Sequence, residues 1–107
     1  MNIYKYGINQ EKVIYVLECP VLQEKPSARD SKRLCYEIQE GKKRTWIFAD
    51  ELDTYSNRVM YSASGDKKME FVRIFKEACE NTINSYLKKA EDTRNNLGEI
   101  LKINNLI

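Results

Sequence analysis

The sequence predicts an α+β protein in which a small antiparallel sheet is followed by one long C-terminal helix. Three observations carry this. Tyr, Val and Ile crowd the first 62 residues, where both prolines also lie. A strict two-residue alternation runs from Arg33 to Gln39. From Val72 to Ile100 the apolar residues recur every three or four positions.

The first strand is expected from Ile3 to Ile8, with Asn9-Gln10-Glu11 as a turn. The second runs from Lys12 to about Leu17. Its apolar run, Val13-Ile14-Tyr15-Val16, reads as a central strand covered on both faces. Pro20 removes a ladder donor, so pairing there should bend, bulge or reach an edge. Residues Pro26 to Ser31 read as a loop. The third strand, Arg33 to Gln39, places Leu34, Tyr36 and Ile38 on one face and Arg33, Cys35, Glu37 and Gln39 on the other. Glu40-Gly41 is a tight turn in which Gly41 takes a positive φ. The fourth strand, Lys43 to Phe48, carries Trp46. A helical turn follows at Ala49–Asp53 and a fifth strand at Arg58–Ser62. Five such strands, over about residues 2–62, suit an SH3-like barrel or a strongly bent sheet.

The helix is expected over about residues 66–104, with Ser64 or Asp66 as its cap. Its stripe is Val72, Phe75, Cys79, Ile83, Tyr86, Ala90, Thr93, Leu97 and Ile100, close to a heptad seam. At ~1.5 Å per residue, some 30 residues reach roughly 45 Å, against about 25 Å for a compact sheet of this size. The distal stripe therefore needs another surface. The expectation is a homo-oligomer whose interface contains Phe75, Ile83, Tyr86, Ala90, Leu97 and Ile100. The alternatives are a fold-back near Asn95-Asn96 or at Gly98, and a frayed end. The whole chain, 1–107, is read as a single domain, with residues 1–64 as its β part and 65–107 as its helical part.

Composition restricts the chemistry. Hydrophobic residues make up 42% and charged residues 32% of the 107-residue chain, as in folded globular proteins. Histidine is absent, which removes His-based acid–base catalysis, Ser-His and Cys-His pairs and most zinc sites. None of the four glycines builds a phosphate-binding loop. Cys19, Cys35 and Cys79 are widely spaced and odd in number, so they read as buried reduced thiols. With no signal-like N-terminus and no long apolar run, a cytoplasmic setting without membrane contact is expected. The acidic group Asp50, Glu51 and Asp53 lacks the alternation of a calcium loop and reads as a solvated helix start. No catalytic residue, metal ligand or cofactor is expected.

The basic group is Lys42, Lys43 and Arg44, with Arg33 and Trp46 in the same hairpin. Aromatic residues beside a basic turn can hold a nucleic acid or nucleotide. The plainer reading is a soluble hairpin tip, since residues 1–66 carry equal numbers of basic and acidic side chains. Seven tyrosines supply rigid contact area with a polar tip, useful at interfaces and equally at home in strands.

The segments Tyr36-Glu37-Ile38, Trp46-Ile47-Phe48-Ala49-Asp50-Glu51-Leu52 and Val59-Met60-Tyr61-Ser62, joined to the helix from Lys67, resemble small orphan proteins of bacteriophages and mobile elements. These pair a short β-barrel or sheet with a long C-terminal helix, and their Lys/Ile/Asn-rich composition is similar. The resemblance implies an anti-defence (anti-CRISPR-like) accessory role. Such a protein inhibits a host system by occluding a protein target or by sequestering a signalling nucleotide. It assigns no functional residues.

Overall fold

A computed structural model describes residues 1–107. Its elements are β1 (Asn2–Ile8), β2 (Ile14–Pro26), β3 (Leu34–Glu40), β4 (Lys43–Phe48), a 3-10 turn (Ala49–Glu51), β5 (Val59–Ser62) and α1 (Lys68–Ile103). All pairings are antiparallel and the strand order is β4-β3-β2-β1-β5. The sheet is curled into a half-barrel, so the expected α+β class holds and the barrel is open, with β4 and β5 at its two ends.

β2 is the strand that makes the curl. Its first half, Ile14 to Pro20, pairs with β1, and its second half, Val21 to Pro26, pairs with β3. The switch falls directly after Pro20, which has no N–H for a second ladder. Two residues of β2 then advance against one of β3, with Val21 opposite Ile38 and Gln23 opposite Glu37. This bulge bends the strand and turns Gln23 and Lys25 to the outer face. β2 is thus longer than the sequence pattern indicated and central in order, but it is not covered on both faces, since Val16 and Leu22 are exposed.

The concave face holds one core: Ile3, Cys19, Tyr36 and Ile38, with Leu17, Val21, Ile47, Ala49, Leu52 and Tyr61 packed against it. The convex face of β1 and β5 holds a second, in which Tyr6 and Met60 meet Phe71 from the start of α1, flanked by Tyr4, Ile8, Tyr55 and Ile74. Tyr6 also fixes where α1 begins. Its hydroxyl donates to the Ser64 carbonyl at 2.7 Å and accepts the Lys67 N–H at 2.9 Å. The Ser64 hydroxyl donates to the Asp66 carboxylate. The residues that dock the helix, Phe71 and Ile74, lie beside the anticipated stripe and were not singled out by it.

Chain contacts divide the protein into two compact units, Met1–Phe75 and Lys76–Ile107. The first turns of α1 therefore belong with the sheet, whereas the sequence reading divided the chain at residue 64. The second unit is helical through Asn95, Asn96 and Gly98, so the chain does not fold back there. Every residue from Cys79 to Leu97 is exposed. Cys19 and Cys35 are buried free thiols as expected, whereas Cys79 is exposed because the face it occupies meets nothing within the chain. No helix is long and apolar enough to cross a membrane.

Candidate functional site

Because β4 and β5 end the sheet without pairing to each other, a cleft opens between them. It has a volume of about 420 Å³ and is lined by Ile47, Phe48, Glu51, Leu52, Thr54, Ser56, Val59 and Tyr61. Alternation along the strands sends Ile47, Val59 and Tyr61 to the concave side, and the 3-10 turn carries Leu52 beneath them. The segment between the turn and β5 is held in shape by hydrogen bonds. Asp53 donates its N–H to the Tyr61 carbonyl at 2.7 Å and accepts the Ser62 hydroxyl at 2.5 Å. Three residues here, Asp53, Asn57 and Arg58, have positive φ.

Behind the cleft lies a buried polar cluster that sequence reasoning did not find. Lys5 of β1 forms an ion pair with Glu40 at the end of β3, and Glu40 also accepts the hydroxyls of Thr45 and Tyr61, each at 3.1 Å. Burial opposes charge on both members of the pair, and their mutual contact overcomes it. Lys5 is held above the usual lysine range and Glu40 below the usual carboxylate range. Burial and then the Glu40 carboxylate push Tyr61 up to about 12. None of these groups titrates near neutrality, where a general acid or base works best. The sequence signal was slight: one lysine between two tyrosines, and a glutamate that read as the first residue of a turn.

The five residues singled out in the basic hairpin are brought together only in part: Arg44, Trp46 and Phe48, on whose ring Arg33 stacks, share one face of β4. Arg44 and Trp46 project from one face of β4, Lys43 from the other, and Lys42 lies in the turn, where Gly41 takes φ +63°. Arg44 faces Glu37 at 3.9 Å. Arg33 stacks on the Phe48 ring at 3.5 Å and is gripped by Asp50 through two bonds of 2.8 and 2.9 Å, with Glu51 at 3.4 Å. Its charge is committed to the turn, and Asp50 is correspondingly held below the usual carboxylate range. Two of the three acidic residues, Asp50 and Glu51, therefore clamp Arg33. Beside the tip, where Lys42, Lys43 and Arg44 remain exposed, the outer face gathers Trp46, Lys25 and Arg29 around a hollow of about 400 Å³ floored by Cys35 and Phe48. Lys25 stands over the Trp46 ring at 4.7 Å.

The expected oligomer residues lie on α1. Ile83, Tyr86, Leu97 and Ile100 are each at least half exposed, joined by Leu87, which the seam had omitted. Ala90 is exposed among them, and Phe75 is half-buried in the first unit. Comparisons with protein families, with curated proteins and with solved structures find no match to this chain.

Proposed function

We propose that this chain is a non-catalytic protein-binding domain that takes an extended segment of a partner, bearing a bulky apolar side chain, into the cleft between β4 and β5. The observation that carries the reading is the cleft itself: apolar walls of Ile47, Phe48, Leu52 and Val59 beside the open edge of β4, the facing edge of β5 being already bonded to Ser56 and Asp53. Strand edges supply backbone hydrogen bonds to an added segment, and a pocket beside them selects its side chains. The titratable groups behind the cleft are bonded to one another and shifted away from neutrality, which favours binding over chemistry. Occlusion of a host protein by an accessory factor is the role that this binding mode serves.

The test is selection of extended peptides from a random display library, followed by NMR mapping. Enriched bulky apolar residues, with shifts at Ile47, Leu52, Val59 and Tyr61 that persist in high salt, are the expected result. Thr54→Arg, at an exposed position on the rim, should abolish them. Failure to enrich any peptide, or shifts confined to Trp46 and Lys25, would overturn the reading.

A second reading has one observation in its favour: Trp46 is 42% exposed beside Lys25 and Arg29. A base stacked there, with its phosphate on the cations, would make the chain a binder of nucleic acid or of a signalling nucleotide. Trp46 is the only tryptophan, so its fluorescence reports this face alone. Salt-sensitive quenching by nucleotides or single-stranded RNA supports this reading, and unchanged emission removes it.

A further inference from the structure

We infer that residues Cys79 to Leu97 of α1 pair antiparallel with the same segment of a second copy of this chain, in a register centred on Lys88. The inference is independent of the cleft. The starting point is an exposed apolar stripe with heptad spacing: Ile83, Ala90 and Leu97 at one seam position and Cys79, Tyr86, Thr93 and Ile100 at the other. A helix without tertiary contacts is marginal in water, so a bare stripe of this length gains by finding a partner surface.

Size and charge both select the partner and its direction. In an antiparallel pair each seam position of one kind meets one of the other kind. Centred on Lys88, Cys79 meets Leu97, Ile83 meets Thr93, and Tyr86 meets Ala90 of the second copy. From Cys79 to Leu97 every layer then joins a small residue to a large one, as close packing requires, and beyond them Ile100 lies against the alkyl stem of Lys76 of the second copy. Shifting the register by one heptad in the one direction sets Ala90 against Thr93, and in the other Cys79 against Ala90, and either leaves voids. Beside the seam, Glu80 faces Arg94 of the second copy at both ends, and Leu87 meets its own counterpart at the two-fold axis. The Lys89 side chains approach each other there, but they are exposed and screened. A parallel pair fails on both counts. It stacks Ala90 on Ala90 and Tyr86 on Tyr86, and it sets Lys89 against Arg94 twice.

The test uses the full chain. Light scattering at tens of micromolar should give twice the 12.6 kDa chain mass. Ile83→Asp should return it to the monomer while the near-UV signal of the sheet is kept. Glu80→Arg or Arg94→Glu alone should weaken association by about five-fold, from two exposed pairs of ~0.5 kcal/mol each, and the double exchange should restore it. Orientation is read by spin labels at Lys88→Cys and Lys102→Cys in a Cys79→Ser background. Labels at Lys88 should be separated only by the width of the helix pair, and those at Lys102 by an added axial distance of roughly 40 Å at ~1.5 Å per residue. A monomeric mass, a double exchange that does not restore association, or equal separations for the two labels would overturn the inference.

Discussion

Lys5 and Glu40 pair across β2, joining two strands that are not neighbours in the sheet. Lys5 reaches over the β2 strand from β1, and Glu40 receives it at the last residue of β3. The pair therefore ties together the two halves that the bend at Pro20 separates. Glu40 is 6% exposed and its oxygens have partners in Lys5, Thr45 and Tyr61. Glu40→Ala removes the acceptor and leaves the ammonium buried without a counterion. Urea unfolding should show a loss of about 3–5 kcal/mol, the range for breaking one side of a buried pair. Replacing both members together, Lys5→Met with Glu40→Leu, should cost clearly less, because no charge is then stranded. Equal losses for the single and double variants would show that the pair is incidental to stability.

The same cluster sets the pH limits of the fold. Glu40 has a lowered folded-state pKa, so its contribution is present above the ordinary carboxylate range and is lost as pH falls through its folded value. Lys5 is raised, so its contribution is present below the ordinary lysine value and is lost as pH rises through its folded value. Tyr61, at about 12, favours the neutral phenol in the fold. Between the ordinary tyrosine value near 10 and about 12 the unfolded chain ionises first, and stability falls by at most about 2 kcal/mol once solvent screening is allowed for. Denaturation midpoints measured from pH 3 to 12 should fall at both ends. In Tyr61→Phe the alkaline limb should flatten. An alkaline limb identical to that of the parent chain would exclude Tyr61 as its source.

Tyr6 connects the sheet to the helix start through two hydrogen bonds made by one hydroxyl. Tyr6→Phe keeps the ring against Phe71, 6.2 Å away between centroids, and deletes both bonds. The Lys67 N–H is one of the donors that a helix start leaves without an intrahelical partner, so its loss falls on the first turn of α1. The expected cost is about 1–3 kcal/mol, with faster amide exchange confined to residues 64–70. Exchange that rises evenly along α1 would contradict a local anchoring role.

Much of the fold was legible because strands and helices carry different periods. The alternation at Arg33–Gln39, the turn at Gly41 and the three-four spacing after Val72 each had one physical reading. The long β2 was hidden because its apolar run ends near Leu17, although the bulge expected at Pro20 is present directly after it. Pro20 acts here as a change of partner, which a strand can accommodate when each half pairs on a different side. The site was less legible. Lys42, Lys43, Arg44, Arg33 and Trp46 are close in sequence, but alternation sends Lys43 to the face opposite Arg44 and Trp46, and Asp50 engages the charge of Arg33. The cleft depends on which strands stay unpaired, a property of topology that no local pattern reports. The same applies to Lys5 and Glu40, which meet only because the sheet curls.

The two apolar faces of α1 predict a concentration-independent effect for one and a concentration-dependent effect for the other. Phe71 is fully buried against Tyr6 and Met60, and it tilts against Tyr55 at 6.0 Å between ring centroids. Phe71→Ala empties this small core and should cost about 3–5 kcal/mol at any protein concentration, because the contact is internal to the chain. Leu97 is 55% exposed and touches no core. Leu97→Ala should change the stability of the isolated chain by less than about 0.5 kcal/mol, as exposed substitutions do. At concentrations where chains associate, it should lower the thermal midpoint, because a contact between copies stabilises by mass action. Thermal melts of both variants at about 1 and 100 μM separate the two effects. A Leu97→Ala deficit independent of concentration would place that side chain in an internal contact. A Phe71→Ala deficit that grows with concentration would place Phe71 between copies. The distinction rests on the switch from Phe71 and Ile74, which face the sheet, to the bare stripe that begins at Cys79.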